Sequence, residues 1–449
     1  MPYSLLTKKK TALDSIWFDR LSTICDGIPE IFIDLSPNQK RLNALRNDFV
    51  ASDYSNPPDL SPDAINIQQY ITTNDSLAEL RNQIKYQEEN EIIAGVYIDR
   101  IDELIAHHNI LITATTGDVT NFRANNELVY GKPDYEIFAA TCSWIRQYAQ
   151  NNSNPGSGQV NSSVKEMMDL IPDISGNANL IIPSQSTFRS VRDLHFAQNG
   201  YVSQLLAKTD IPEIVTPEKG EEVLEQVLKN LKSDYSLSDA DVFWGIDHST
   251  KSVFRPKHYE LPRQQFTGIV LHEFGSHLLE NANGLMQPLQ LLSKGLDRYD
   301  KINEGRAFLR EQIVYESADE TLGQPAWEHI ITMHLAISLS CGLYDHKYTF
   351  SEVYDVIYKV GLMMQSIRNP DLSVVESAHD QAWITTTRVL KGIEGETYMK
   401  DIVYLEGNAR CWQIAAVKPE RILDGDLGKL DISRQDHLEI LKFLNIDVL

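Results

Sequence analysis

The stretch His272-Glu273-Phe274-Gly275-Ser276-His277 constrains this chain more than any other. Two histidines bracket a glutamate inside an apolar run that reads as one buried helix. Ionisable groups buried there are costly without a metal or charged partners. Further along, Asn303-Glu304-Gly305-Arg306-Ala307 offers a second carboxylate. Two imidazoles and a carboxylate form a ligand set for catalytic zinc, and Glu273 is left free as a general base. The pattern therefore points to a metal-dependent hydrolase.

The spacing makes a structural demand. Zincin histidines usually stand four apart; these stand five apart. At about 100° per residue, a regular helix would aim them about 140° from one another. A π-type widening that absorbs one residue removes most of this mismatch. Gly275 makes such a distortion cheap, so a bulge is expected within Phe274 to Ser276. The expected metal ligands are His272, His277 and Glu304, around Zn2+ and with one coordination position left open. Gly305 would let the Glu304 helix approach a neighbour closely. Glu280 and Glu311 are less well placed; Glu280 lies about 300° round from His277.

Composition narrows the class. The chain has 449 residues, enough for a large core and for two or more structural units. A hydrophobic content of 42% with 23% charged residues is ordinary for a globular protein. The formal net charge of -22 argues against nucleic acid as a partner and weakens the case for a strongly acidic substrate. Cys25, Cys142, Cys341 and Cys411 are far apart and form no C-x-x-C pair. They read as isolated reduced thiols, which suits a reducing compartment. No signal peptide or apolar stretch of about 20 residues is apparent. A soluble, cytoplasmic protein without a membrane partner is the default expectation, with export by other signals left open.

The expected fold class is α+β and predominantly helical, with a zincin-like metallopeptidase core and an N-terminal helical region. The division runs 1–150 for the N-terminal region, 151–163 for a linker or long loop, and 164–449 for the catalytic domain. Helical spacing recurs over 11–50, 65–108 and on to Tyr148, with a loop over 52–62. Asn151 to Gly158 is rich in Asn, Ser, Gly and Pro and reads as linker. Strands are expected at Asn179 to Pro183, Asp241 to Gly245, Ser252 to Pro256 and Asp401 to Leu405. Helices are expected at 221–231, 261–283 (ended by Gly284), 303–315, 326–343, 351–366, 374–389 and 435–444.

Several ordered motifs resemble those of the microtubule-associated tyrosine carboxypeptidases and their bacterial relatives, named for a Gln-Glu-Gly-Leu-Ala motif. The family carries His-Glu-x-x-x-His, matched by His272 to His277. Asn283-Gly284 and Pro288-Leu289-Gln290-Leu291-Leu292 follow it. Tyr130-Gly131-Lys132-Pro133-Asp134, Arg388-Val389-Leu390-Lys391-Gly392 and Lys400 to Gly407 are similar as well. The resemblance runs from about residue 70 to about 415. It implies zinc ligation by His272, His277 and Glu304, catalysis by Glu273, and removal of a C-terminal residue, tyrosine in eukaryotic members. By resemblance alone, the partner would be a peptide or protein C-terminus such as a tubulin tail. Two departures stand out: Asn303 replaces the family's Gln, and Arg306 replaces its Leu.

A carboxypeptidase must neutralise the terminal carboxylate of its substrate, a task suited to arginine. Arg388 is the first candidate, with a structural ion pair as its plain alternative. Arg306 is the second, unless it faces solvent; Lys400 is weaker. Tyr404 and Tyr299 are candidate oxyanion donors, and Ser252 to Tyr259 is the candidate edge strand for substrate pairing. His329 and His334 read as structural. Two competing readings are an aminopeptidase or dipeptidyl-peptidase type of zincin, and a zinc-stabilised interaction protein without turnover.

Overall fold

Apolar residues recurring every three or four positions produce helices along most of the chain. The computed structural model describes residues 6, 9–25, 28, 35–63, 65–153, 158–240, 244–248 and 250–446. It is 67% helix with few strands, an α+β protein as expected. Helices α1 (Ser15–Cys25), α2 (Gln39–Ala51), α3 (Gln68–Gln87), α4 (Glu91–Thr116), α5 (Val119–Tyr130) and α6 (Tyr135–Asn152) come first. Helices α7 (Gly158–Leu170), α8 (Gln185–Asp193) and α9 (Tyr201–Leu206) lead into the strands. Side-chain caps start several of them: Asn90 accepts from Ile92 N and Ile93 N, and Asp134 from Glu136 N and Ile137 N. Of the proposed linker, residues 154–157 lie outside the described residues, residues 151–152 end α6 and residues 158–163 belong to α7, because the polar stretch is shorter than the boundary drawn from it.

Strands β1 (Ile214–Val215), β2 (Ser236–Ala240), β3 (Gly245–Asp247), β4 (Ser252–Pro256) and β5 (Leu261–Pro262) flank α10 (Pro217–Leu231). β1 pairs with β5, and the other three form a sheet in the order β2-β4-β3. β4 is parallel to β2 and antiparallel to β3. The candidate edge strand is thus corrected: β4 is central, both its sides being paired, and β3 is an edge among the described residues. Residues 241–243 of the strand expected at Asp241 to Gly245 lie outside the described residues.

The motif helix comprises α11 (Arg263–His272), a π-helical segment Glu273–Leu278, and α12 (Leu279–Met286). Gly284 does not end it. A Cβ there would overlap the backbone of Leu292 and Ser293, so the glycine admits that returning segment. After it come α13 (Asp300–Gln312), α14 (Ala318–Leu322), α15 (Pro325–Ser340), α16 (Phe350–Arg368), α17 (Val375–Val389), α18 (Ile402–Val417) and α19 (Gln435–Phe443). Two strand expectations fail. Asn179 to Pro183 holds a short 3-10 turn, and Asp401 to Leu405 opens α18. In both places a short apolar run left the periodicity ambiguous.

Three apolar clusters fill the interior. One joins Phe138 and Trp144 of α6 to Ile330, Met363 and Leu405 of α15, α16 and α18, so the core crosses the 150/164 division. A second packs α3 and α4 against Ile302, Leu309 and Trp412. The third sits between the sheet, α10 and the motif helix, around Val223, Val253, Phe266 and Phe274. The N-terminal segment is fastened to the end of the motif helix: Leu13 N donates to Pro288 O at 2.7 Å, and buried Asp14 accepts from Gln290 N and Leu291 N. No helix among the described residues is long and apolar enough to cross a membrane.

The crossing of α13 and α18 positions the site. Gly305 and Gly407 meet there, and a Cβ on Gly407 would overlap the Lys301 carbonyl. Asn408 and Gln312 exchange hydrogen bonds of 3.0 and 3.2 Å across the same interface, and Trp412 Nε1 donates to Gln312 at 2.8 Å. Gly407→Ala must force the helices apart, at a cost of about 1–3 kcal/mol or more. A fall in the urea midpoint of the variant is the expected outcome; an unchanged midpoint would deny the close crossing.

Candidate metal centre

The π segment answers the spacing problem. Leu279 N–H bonds to Phe274 O, five residues back. Such i→i+5 bonding brings residues five apart onto one face. The ring centroids of His272 and His277 are accordingly 5.3 Å apart. The widening spans Glu273–Leu278 and encloses the expected Phe274 to Ser276. A Cβ on Gly275 would meet nothing nearer than Leu271 Cδ2 at 3.5 Å, so space is not what requires glycine here.

Across the cleft, α13 presents Glu304. Its Oε2 is 3.7 Å from Nε2 of both His272 and His277. Among the described residues, His272, His277 and Glu304 form a group whose donor atoms all lie within 4.8 Å of one another. Tetrahedral zinc holds nitrogen and oxygen donors about 3.4 Å apart, so small side-chain movements would close the set on an ion. The side chains of His272, His277 and Glu304 are 14%, 13% and 23% exposed, while Phe274, Gly275 and Ser276 between them are buried. The three polar side chains therefore keep partial contact with solvent, unlike the residues between the histidines.

Burial lowers the His272 imidazole, but the Glu311 bond and nearby carboxylates outweigh it and lift its pKa to about 9. His277 is held well below its ordinary value by burial and by the His272 and Lys429 charges. Burial raises Glu304 to about 7 against the pull of His272 and Lys400. Glu273 is also raised by burial, with His272 opposing. A raised carboxyl is suited to accepting a proton near neutral pH.

Four buried residues hold this arrangement, and nothing in the sequence singles out two of them, Arg310 and Asp426. Glu280, Arg306, Arg310 and Asp426 are buried together. Arg306 donates to Glu280 and Asp426, and Arg310 donates to Asp426 and to the Gly275 carbonyl. Arg310 also reaches Ser276 Oγ at 3.2 Å and His195 Nε2 at 3.4 Å. Two arginines and two carboxylates balance formally, and the buried carbonyl inside the widened turn gains a donor. Arg306 thus neither faces solvent nor meets substrate, which corrects both expectations for it. Glu280, less well placed as a ligand, binds Asn303 and Arg306 and lies outside the group of His272, His277 and Glu304. Asp426 arrives from the 3-10 segment Pro419–Leu427, distant in sequence, with no local signal to mark it.

Arg388 makes the structural ion pair weighed as its alternative. Its Nε and Nη2 donate to Asp401 at 2.6 and 2.8 Å, and Nη2 also donates to Tyr404 Oη at 3.0 Å. Tyr404 packs edge-on against Phe308 at 5.5 Å, and Phe308 against His272 at 5.0 Å. Tyr404 therefore lies on the wall of the site, and burial keeps its phenol protonated well above the usual range. Tyr299 lies under the Arg100 and Lys429 cations, at 5.4 and 5.7 Å. His334 is structural, bonded to Glu406 at 3.2 Å, and His329 sits 6.5 Å from the Tyr404 ring. Cys142, Cys341 and Cys411 are free thiols.

Asp426→Asn would leave the sealed quartet with an uncompensated positive charge. The expected loss is about 3–5 kcal/mol, read as a lower denaturation midpoint in the absence of metal. A midpoint equal to that of the native chain would show that the quartet does not support the fold.

No curated protein and no solved structure matches the chain. Residues 210–362, which contain the sheet, the motif helix and α13, match the model of the family described as microtubule-associated tyrosine carboxypeptidase, a carboxypeptidase family.

Proposed function

We propose that the chain is a zinc-dependent carboxypeptidase with a zincin-like core, in which His272, His277 and Glu304 hold the metal and Glu273 is the catalytic base. The convergence of two imidazole Nε2 atoms on one Glu304 oxygen, across a π-widened turn, carries this reading. The donor set is two nitrogens and one oxygen, the combination that catalytic zinc favours. When bound, zinc supplies a Lewis acid and brings the pKa of water to about 7.

Glu273 follows the first histidine directly and its carboxyl is raised by burial. It takes a proton from the attacking water and returns it to the leaving amine. Tyr404 accepts from Arg388, which leaves its own O–H free to donate toward the carbonyl oxygen of the scissile bond. Arg388 adds positive charge beside it while keeping buried Asp401 neutralised. Its remaining role is to attract the terminal carboxylate of the substrate.

The substrate class is a peptide or protein C-terminus. The family description brings a tyrosine-ended microtubule protein, such as a tubulin tail, into consideration. The net charge of -22 opposes long-range attraction of a strongly acidic tail. Reaction with such a tail would depend on local contacts at the cleft.

Glu273→Gln is expected to retain zinc and to lose hydrolysis by about 10²–10⁴-fold. The measurement is mass spectrometry of peptides that differ only in the last residue, with C-terminally amidated versions expected to resist. Full activity in this variant would remove Glu273 as the base. Cleavage from the amino end of amidated peptides would favour an aminopeptidase instead.

A further inference from the structure

One carboxylate beside the site has no part in the mechanism above. Glu311 stands seven residues after Glu304 on α13, with Phe308 between them, so all three lie on one stripe of the helix. Its Oε2 is 3.3 Å from His272 Nδ1, on the opposite side of the ring from the Nε2 that faces Glu304. Glu311 does not belong to the compact donor group, so it meets the histidine without entering the cluster.

We propose that Glu311 is a positioning residue of the metal centre, which fixes the His272 ring and its tautomer. The inference rests on the metal-centre reading. A neutral imidazole has one N–H and one lone pair. Giving the Nδ1 hydrogen to Glu311 leaves the lone pair on Nε2, aimed at His277 and Glu304. Phe308 packs edge-on against the same ring at 5.0 Å and 84°, which limits its rotation. Ring direction and tautomer are thus set from one helix, the helix that also supplies Glu304.

A second observation concerns space. Gly268 lies one turn before His272, and a Cβ there would stand 3.0 Å from Glu311 Cγ and 3.4 Å from its carbonyl oxygen. The glycine lets the Glu311 backbone approach α11 closely enough for its side chain to reach the ring. His277 is treated differently. Its polar neighbour on α13 is the amide Asn303, itself bonded to Glu280. Only the first histidine is backed by a carboxylate among the described residues.

The test is zinc affinity of the full chain, measured by competition with a chromophoric chelator, for the native protein, Glu311→Gln, Glu311→Ala and His272→Ala. Visible absorption of the cobalt-loaded proteins reports ligand geometry independently of activity. Both Glu311 variants are expected to bind zinc about 10–100-fold more weakly and to shift the cobalt bands, while their metal-free denaturation midpoints match that of the native chain. Native-like affinity and cobalt spectra in both variants would overturn the role of Glu311 alone. If the native chain binds zinc no better than His272→Ala, the metal-centre reading falls and the Glu311 role falls with it.

Discussion

The widened turn at Glu273–Leu278 is the constraint on which the rest of the site depends. Without i→i+5 bonding, His272 and His277 would diverge around the helix and could not share Glu304. Such a turn is uncommon because it disturbs the regular pairing of backbone groups. Here the disturbed region is sealed, so its carbonyls need donors. Arg310 supplies one at Gly275 and is itself held by Asp426. The geometry of the histidines is thus underwritten by a salt bridge whose two ends lie in different parts of the chain.

Helix α13 works on two faces. Glu304, Phe308 and Glu311 face the histidines, Arg306 and Arg310 belong to the buried quartet, and Asn303 lies between His277 and Glu280. One face is partly open to solvent and rich in carboxylates; the other is closed and charge-balanced. This separation has a physical logic. Charges sealed inside must be neutralised at once, whereas the open face holds carboxylates that a cation can later join. Arg306 belongs to the closed face, where it pairs with Glu280 and Asp426.

Parts of this were legible in advance. The five-residue histidine spacing demanded a bulge, because helical geometry admits few other solutions. Glu304 could be chosen because a ligand set lacking an anion needed one, and Gly305 beside it marked a close helix approach, which Gly407 completes. The failures share a cause. Asp401 to Leu405 reads as a strand because a short apolar run has no clear period, and long-range packing on α13 makes it the start of a helix. The edge strand was misplaced because strand order in a sheet is a long-range property.

Local chemistry within the sequence therefore determined which side chains stand at the centre, His272, Glu273, His277 and Glu304, together with the mostly helical class. Their types and spacing are properties of neighbouring residues, and a helix converts spacing directly into direction. Tertiary structure alone decided what holds them. Asp426 reaching Arg306 and Arg310, Glu311 backing His272, and Arg388 committed to Asp401 all join residues through space. No periodicity encodes such partners, because each is chosen by whichever buried charge lies within reach once the helices have packed.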